Sequence, residues 1–244
     1  MSGPSILEVD LHVHSEASYD GHEPVELILE HAADIDLDVI SASLEAAERA
    51  PEYGLIGIPG GEVSTADGHL LGIGIEELPP AGRPVGETIA AVREAGSAAV
   101  IPHPFQRTRH GVRKRRLKRI DSDAIETYNA WLFTGYRNRR ARRYAARYGY
   151  PAVGGSDAHS LLTVGRAFTE IEVEPPIADV ESDDVVDAIR AGDTTIRGQR
   201  ASLKRCSSHY ARAAVRKTAW AGRTVLRKGS GGARRAASAV VPFR

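Results

Sequence analysis

The sequence predicts an α/β protein in which strands alternate with helices and form a largely parallel sheet or barrel. Short apolar segments are repeatedly followed by longer amphipathic ones, which is the pattern of βαβ units. The chain has 244 residues, of which 42% are hydrophobic, and this is enough for one sizeable core. The residues that could do chemistry follow the apolar segments. In such folds the chemistry lies at the carboxyl ends of the strands, so we expect the functional site there.

The first half of the chain begins with a strand that ends in two histidines. The helix that follows opens at Pro24 and has a stripe of apolar residues, which is typical of a helix packed on a core. A second strand starts at Val39-Ile40 and stops almost at once. The expected elements are a strand over 6–14, a helix over 24–34, a strand start at 39–40, a helix over 44–50, strands over 55–59 and 70–75, and a helix over 84–95.

A basic segment interrupts the second half. Residues 106–119 contain eight Lys or Arg and no Asp or Glu, and we expect a loop or a helix there. The other expected elements are strands over 98–101 and 124–129, a helix over 135–148, a strand at 151–153 leading into two glycines, a last strand over 164–173, and a closing helix over 185–191.

The ends of several expected strands carry imidazole or carboxylate groups. His12 and His14 are two residues apart, so an extended backbone places both imidazoles on one side. A pair divided between core and solvent is the alternative interpretation of this spacing alone. The convergence of further groups at strand ends favours a metal site, and these groups belong to Glu62, His69, His103, Asp157 and His159.

Five short motifs in order resemble the PHP family, which is named for polymerase and histidinol phosphatase. The motifs are Asp10-Leu11-His12-Val13-His14-Ser15, Gly61-Glu62-Val63-Ser64, Gly68-His69-Leu70-Leu71-Gly72, Pro102-His103-Pro104 and Gly155-Ser156-Asp157-Ala158-His159. The resemblance covers about residues 6–190. It implies a distorted seven-stranded, TIM-like β/α barrel that binds two or three Mn²⁺, Zn²⁺ or Fe ions and hydrolyses phosphate esters with metal-activated water.

The resemblance also implies a set of metal ligands. The implied ligands are His12, His14, Glu62, His69, His103, Asp157 and His159, with Asp20 as a weaker candidate. The chain departs from the family after Ile40, where the family has a Thr-Asp-His motif that supplies another Asp and another His. This chain continues with Ser41-Ala42-Ser43 instead. We therefore expect fewer or weaker metal sites than in the family.

Other polar residues have simpler interpretations. Arg107 and Arg109 follow His103 closely and are candidates to bind a substrate phosphate, although a run of charges also suits a solvated surface. Glu126 and Asn129 lie at a strand end, where capping and loop hydrogen bonds explain them equally well. Four histidines lie outside any motif and are expected to be ordinary surface or core residues: His22, His31, His110 and His209.

Charge and composition divide the chain in two. Residues 1–196 contain 19 Lys or Arg and 32 Asp or Glu, whereas residues 197–244 contain 13 Lys or Arg and no acid. We expect a domain over 1–196 and a basic, helical or disordered tail over 197–244 that could contact a polyanion. The single cysteine, Cys206, excludes a disulfide framework and a thiolate metal cluster. No leader and no apolar run long enough to span a membrane is visible, so a cytoplasmic location is the default expectation.

Three classes of function agree with these patterns. The first is a metal-dependent phosphoesterase acting on a small phosphorylated molecule or a nucleotide. The second is a degenerate PHP domain with weak or no catalysis that acts as a binding or regulatory module. The third is a nucleic-acid-associated protein held near its partner by the basic tail.

Overall fold

The computed structural model describes residues 4–18, 20–132 and 135–198. Within these ranges the chain forms nine strands and six α-helices. The strands are β1 (Ser5–Asp10), β2 (Val39–Ala42), β3 (Ile56–Thr65), β4 (Gly68–Ile73), β5 (Ala98–Ile101), β6 (Ala124–Asn129), β7 (Ala152–Gly155), β8 (Ala167–Val173) and β9 (Thr194–Gly198). The α-helices are α1 (Val25–Asp34), α2 (Leu44–Arg49), α3 (Val85–Glu94), α4 (Lys114–Leu117), α5 (Gly135–Tyr148) and α6 (Ser182–Ala191).

The nine strands form one barrel-shaped, nearly closed sheet in the order β7-β6-β5-β4-β3-β2-β1-β8-β9. The predicted barrel is confirmed, with nine strands rather than seven. Side-chain hydrogen bonds join β7 to the other end of the sheet. The Thr169 hydroxyl of β8 accepts from Gly154 N at 2.9 Å and donates to Gly154 O at 2.8 Å. The Thr194 hydroxyl of β9 donates to Ala152 O at 2.8 Å. These bonds satisfy backbone groups of β7 where the ladder is interrupted.

Parallel pairing is less extensive than the sequence suggests. β1, β2 and β3 pair in parallel, as do β5, β6 and β7, but β4 pairs antiparallel with both β3 and β5. β8 likewise runs antiparallel to β1 and to β9. The reason for the first exception is the tight turn between Thr65 and Gly68, which joins β3 and β4 as a hairpin.

The hairpin corrects the expected positions of two candidate ligands. β3 continues through Gly60 and Gly61 instead of ending at Pro59, so Glu62 lies inside this strand and not at its end. His69 lies inside β4 and does not precede it. The glycine pair therefore marks a strand that packs closely against its neighbours, because a Cβ on Gly60 would lie 2.5 Å from Gly72 O.

The last strand was not expected from the sequence. β9 pairs with β8 from Thr194↔Ile171 to Gly198↔Ala167 and is largely solvent-accessible. Its only sequence signal is the β-branched run Thr194-Thr195-Ile196, which is too short to show a period. β9 extends two residues beyond the expected domain boundary at 196. Residues 199–244 of the expected tail lie outside the described residues.

Apolar residues fill the barrel and the space under its helices. The interior contains Leu7 and Val9 of β1 with Ile171 of β8, and α6 adds Val185 and Ile189 to this cluster. α1 packs on the outside of β2, and α3 and α5 pack on β4, β5 and β6. α6 begins with a reciprocal capping box and ends at a left-handed glycine. This packing holds in a fixed position the end of the barrel at which the candidate ligands lie.

Within the described residues, no helix combines the length and apolar character needed to cross a lipid bilayer.

We predict that a chain truncated after residue 198 keeps the melting temperature of the full chain within about 2 °C, because every described strand is retained. Truncation after residue 193 also removes β9 and its hydrogen bond to β7. This shorter chain should melt about 5–10 °C lower in circular dichroism, corresponding to a loss of about 2–3 kcal/mol. Equal melting temperatures for the two truncations would contradict a stabilising role for β9.

Candidate metal centre

His12 and His14 lie just after β1, in a segment that pairs with the loop after β7. His14 N donates to Ala158 O at 3.0 Å, and Ala158 N donates to His12 O at 3.2 Å. The two imidazoles face each other, with 3.2 Å between His12 Nε2 and His14 Nε2. At most one proton fits between these nitrogens, so at least one lone pair points into the space between the rings.

Asp10, at the end of β1, holds the segment after β1 and the loop after β7 together. Its carboxylate is fully buried and accepts from Ser156 N at 3.0 Å, Gly165 N at 2.9 Å and His12 N at 3.3 Å. Burial raises the pKa of Asp10 to about 6, although the three N–H groups favour its charged form. Asp10 therefore positions the loops that carry the candidate ligands. Its own oxygens accept from backbone N–H groups.

Glu62 joins three of the histidines. Its Oε1 lies 2.9 Å from His103 Nε2 and 3.6 Å from His12 Nε2, and its Oε2 lies 2.8 Å from His69 Nδ1. Burial raises the pKa of Glu62, but hydrogen bonds and the charges of His103, His69 and His12 hold it well below its usual range. Glu62 is therefore an ionised carboxylate at the centre of three imidazoles.

A second carboxylate, Asp157, faces the same imidazoles from the loop after β7. Its Oδ1 lies 3.5 Å from His14 Nε2 and 3.7 Å from His12 Nε2. Burial raises the pKa of Asp157, whereas the Arg109 guanidinium and His12 hold it well below its usual range. Burial opposes the charged form of His12, but Asp157 and Glu126 raise the pKa of His12 to about 10. The cluster thus balances buried charges of both signs.

A third group lies at the edge of the cluster. Asp20 Oδ1 is 3.1 Å from His14 Nδ1, and Asp20 Oδ2 is 3.2 Å from His159 Nε2. The rings of His14 and His159 stack with their centroids 4.2 Å apart, and Trp131 stacks on the far side of His159 at 5.9 Å. Burial raises the pKa of Asp20, but hydrogen bonds from His14 and His159 hold it well below its usual range.

All eight candidate ligands thus lie in one cluster, which contains four groups of three residues. Within each group the ligand atoms lie within 4.8 Å of one another. The groups are His12-His14-Glu62, Glu62-His69-His103, His12-His103-Asp157 and His14-Asp20-His159. The donors are nitrogen and oxygen atoms only. His103 Nδ1 is buried and forms no hydrogen bond within the described residues, whereas His69 Nδ1 contacts Glu62. Convergent nitrogen and oxygen lone pairs of this kind fit divalent cations.

The backbone at two candidate ligands is strained. His103 has φ 29° and Asp157 has φ 52°, values that non-glycine residues rarely adopt. Gly155 packs tightly beside them, since a Cβ there would lie 2.7 Å from His12 Cβ and 3.0 Å from Glu126 Oε1. Such strain persists only where surrounding contacts impose it, and it is common at functional sites.

Glu126 and Asn129 of β6 hold the candidate ligands in orientation. Glu126 Oε1 lies 3.1 Å from His12 Nδ1, and Glu126 Oε2 accepts from His103 N at 2.7 Å. Asn129 Nδ2 donates to Glu126 Oε2 at 3.0 Å and to Asp157 Oδ2 at 2.9 Å. From the sequence, capping and loop hydrogen bonds explained these two strand-end residues as well as a functional role did. Their signal was a carboxylate and an amide in a strand that is buried along most of its length.

The two candidate arginines occupy different places. Arg109 is buried, with 8% of its surface exposed, and its guanidinium lies 2.7 Å from Asp157 Oδ1. Arg107 is exposed and lines a cavity next to His69. His110, expected to be an ordinary residue, stacks on His69 with ring centroids 5.3 Å apart. His22 and His31 belong to none of the four ligand groups, and His209 lies outside the described residues.

β2 brings no candidate ligand to the centre. The strand reaches Ala42, slightly further than expected, and its last residues are buried. Ser43 follows and caps α2, where its hydroxyl accepts from Ala46 N at 3.4 Å. The chain therefore passes from strand to helix with satisfied local hydrogen bonds. None of the four ligand groups includes a residue of β2.

Comparisons of the sequence with known proteins find a family model and a relative. A family model described as PHP-associated matches residues 135–194. The uncharacterised protein MJ0417 of Methanocaldococcus jannaschii is 30% identical over 181 residues, which cover 70% of this chain and 74% of that protein.

Solved structures share the fold at low identity. One is a two-domain protein from Bacteroides vulgatus that contains a predicted PHP-like metal-dependent phosphoesterase. It has a TM-score of 0.66 and 17% identity, and the match covers 81% of this chain and 66% of that chain. Another is a lesion-specific endonuclease from Pyrococcus furiosus, with a TM-score of 0.59 and 18% identity over 79% of this chain and 58% of that chain.

We predict that Glu126→Gln lowers the affinity for Mn²⁺ by about 10- to 100-fold, because the amide no longer accepts from both His12 and the backbone of His103. Chelator competition measures this affinity. Glu76→Gln, at an exposed glutamate, is the matched control and should leave the affinity unchanged. Equal affinities for the two variants would show that Glu126 does not orient the ligands.

Proposed function

Because this chain belongs to the PHP (polymerase and histidinol phosphatase) domain family, we propose that it is a metal-dependent phosphoesterase. The observation that carries this proposal is the convergence of imidazole and carboxylate groups at one edge of the barrel. These groups come from segments far apart in the sequence. A structural role alone does not explain so many buried lone pairs directed at one another.

We assign the metal ligands as the eight residues of the four groups. Imidazole nitrogen and carboxylate oxygen without thiolate suit Mn²⁺, Zn²⁺ or Fe. Glu62 belongs to two groups and directs its two oxygens at different histidines, so this carboxylate would hold neighbouring cations. Bound cations would activate water and neutralise charge on the phosphoryl oxygens. The Asp20 group lies at the edge and supplies the weakest position, since the Asp20 side chain is 45% exposed.

Arg109 is placed to bind the substrate phosphate. Its guanidinium already lies against Asp157 Oδ1, at the border of the ligand cluster. A planar guanidinium suits the oxygens of a phosphate as well as those of a carboxylate. The buried rings of Trp131 and His159 stack on each other at a separate part of the ligand cluster. Burial strengthens each of these electrostatic contacts.

The substrate that we propose is a small phosphorylated molecule or a nucleotide. The endonuclease with the same fold acts on damaged nucleic acid according to its name, which supports a nucleic-acid substrate as the alternative. The basic residues of 199–244 would then add affinity for the polyanion.

One observation favours a second candidate, a degenerate domain that binds but hardly catalyses. β2 ends in Ser41-Ala42 and Ser43 follows it, where the family pattern supplies an Asp and a His. Because β2 adds no ligand, at least one cation position has fewer protein donors than in the family. Activity measured on the metal-loaded chain separates the two candidates.

We predict that chelator treatment abolishes phosphate release from a panel of phosphomonoesters and that Mn²⁺ restores it. His12→Ala should lose about half of the bound metal and retain less than about a tenth of the rate, because His12 belongs to two of the four ligand groups. His31→Ala, outside the four groups, is the control and should resemble the native chain. Elemental analysis and phosphate release are measured on the same samples. A His12→Ala chain with full metal content would overturn the assignment.

We also predict the effect of restoring the missing motif. Insertion of Thr-Asp-His-Asp-Thr between Ile40 and Ser41 should raise the metal content and the phosphoesterase rate together, by about tenfold in rate. The same insertion with Ala in place of its Asp and His residues controls for lengthening the strand. A native chain that already holds a full metal complement and turns over as fast would show that another residue, such as Asp20, fills the role.

A further inference from the structure

A second concavity adjoins the candidate metal centre. It has a volume of about 760 Å³ and lies between the tip of the β3–β4 hairpin and the basic segment 107–119. His69 is part of its lining and also contacts Glu62 in the metal centre. The two sites therefore share a wall. The cations that face the cavity are Arg107, Arg113, Arg115, Arg116 and Arg119.

The charge of this cavity contrasts with the rest of the described domain. Residues 1–196 have an excess of 13 acidic groups, yet 106–119 contain eight basic groups and no acid. Arg116 pairs with Asp67 at 2.6 Å. Within the described ranges, Arg107, Arg113, Arg115 and Arg119 form no ion pair with an Asp or Glu. The cavity thus concentrates uncompensated positive charge, which attracts anions.

The backbone holds the arginine segment against the metal centre. His69 N donates to His110 O at 2.9 Å, and Gly111 N donates to Gln106 O at 2.8 Å. Gly68 has φ 135°, and a Cβ there would lie 2.5 Å from His110 O. The approach is therefore close enough to require glycine. The position of the arginines relative to His69 is set before any ligand binds.

A run of exposed arginines is most often a solvated surface. Two observations distinguish this one. The arginines line a concavity whose volume is within the range of about 300–1,000 Å³ that holds small ligands. The same concavity ends at His69, a candidate metal ligand. One molecule could therefore place one phosphate in the concavity and another at the metal centre.

We propose that the cavity is a second phosphate subsite, which binds phosphate groups of the substrate other than the one that is hydrolysed. This inference rests on the proposed phosphoesterase function and narrows its substrate to molecules with at least two phosphates. Such phosphates occur in a nucleoside bisphosphate and in a short single-stranded oligonucleotide, and both offer the chemistry that guanidinium groups bind.

The test compares ligands that share one nucleoside. Thymidine 5′-monophosphate has one phosphate, thymidine 3′,5′-bisphosphate has two, and 5′-phosphorylated tetrathymidylate has a chain of them. Binding to the full chain is measured by calorimetry in chelator, and KM and kcat are measured separately with Mn²⁺. The variant is Arg115→Ala with Arg119→Ala. The control is Arg139→Ala with Arg143→Ala, two exposed arginines of α5 outside the cavity.

The Arg115/Arg119 variant should weaken binding of the bisphosphate or the tetranucleotide by about tenfold and reduce the salt dependence of tetranucleotide binding by about 1.4 in log–log slope. It should raise KM for those ligands with little change in kcat. Monophosphate binding, and every value for the control, should change by less than about twofold. Loss confined to the bisphosphate identifies a small substrate, and a larger loss for the tetranucleotide identifies a strand.

Two results would overturn the subsite. One is a loss no larger than that of the Arg139/Arg143 control. The other is an equal loss for the monophosphate, which would mean that the arginines act on any anion. If no ligand is hydrolysed with Mn²⁺ but metal-free binding still depends on Arg115 and Arg119, the phosphoesterase proposal fails and the anion site remains.

Discussion

The burial of ionised carboxylates among imidazoles is the interaction on which the rest of this structure depends. Asp157 is fully buried and the Glu62 side chain is only 10% exposed, and an uncompensated charge in such a place would cost several kcal/mol. Compensation comes from His12, His103 and Arg109, which reach the carboxylates from separate segments of the chain. Each segment must therefore end at a fixed place, and the barrel edge provides it.

Local geometry follows from this requirement. Asp10 accepts three backbone N–H groups and holds the loop after β7 against the loop after β1. His103 and Asp157 adopt left-handed backbone conformations. The bond that His103 N donates to Glu126 and the bond that Asn129 donates to the Asp157 side chain help to maintain them. The fold directs lone pairs of neighbouring imidazoles at one another, and these lone pairs repel. A cation bound between the rings would remove this repulsion. The strained backbone at His103 and Asp157 therefore lies where the proposed chemistry occurs.

Much of the fold and of the site could be predicted from sequence because the signals are local. Apolar runs predict β5 and β6 closely, and Asp157 follows a strand as expected. The first strand was expected to reach His14, but β1 ends at Asp10, so His12 and His14 lie just after it. The β3–β4 hairpin was mistaken for two independent strand ends. Its turn contains Asp67-Gly68, but the glycine-rich segments beside it lack the regular alternation of apolar and polar residues that indicates a hairpin. The roles of Glu126 and Arg109 depend on contacts across 114 and 48 residues of sequence, which no local pattern encodes.

The central claim is that the histidine and carboxylate cluster holds divalent cations. Crystals of the full chain grown with Mn²⁺ and measured at the manganese absorption edge test it most directly. The account predicts at least two anomalous peaks, the stronger ones within coordination distance of His12, Glu62, His103 and Asp157. Peaks elsewhere on the surface, or none in the cluster at saturating Mn²⁺, would contradict it.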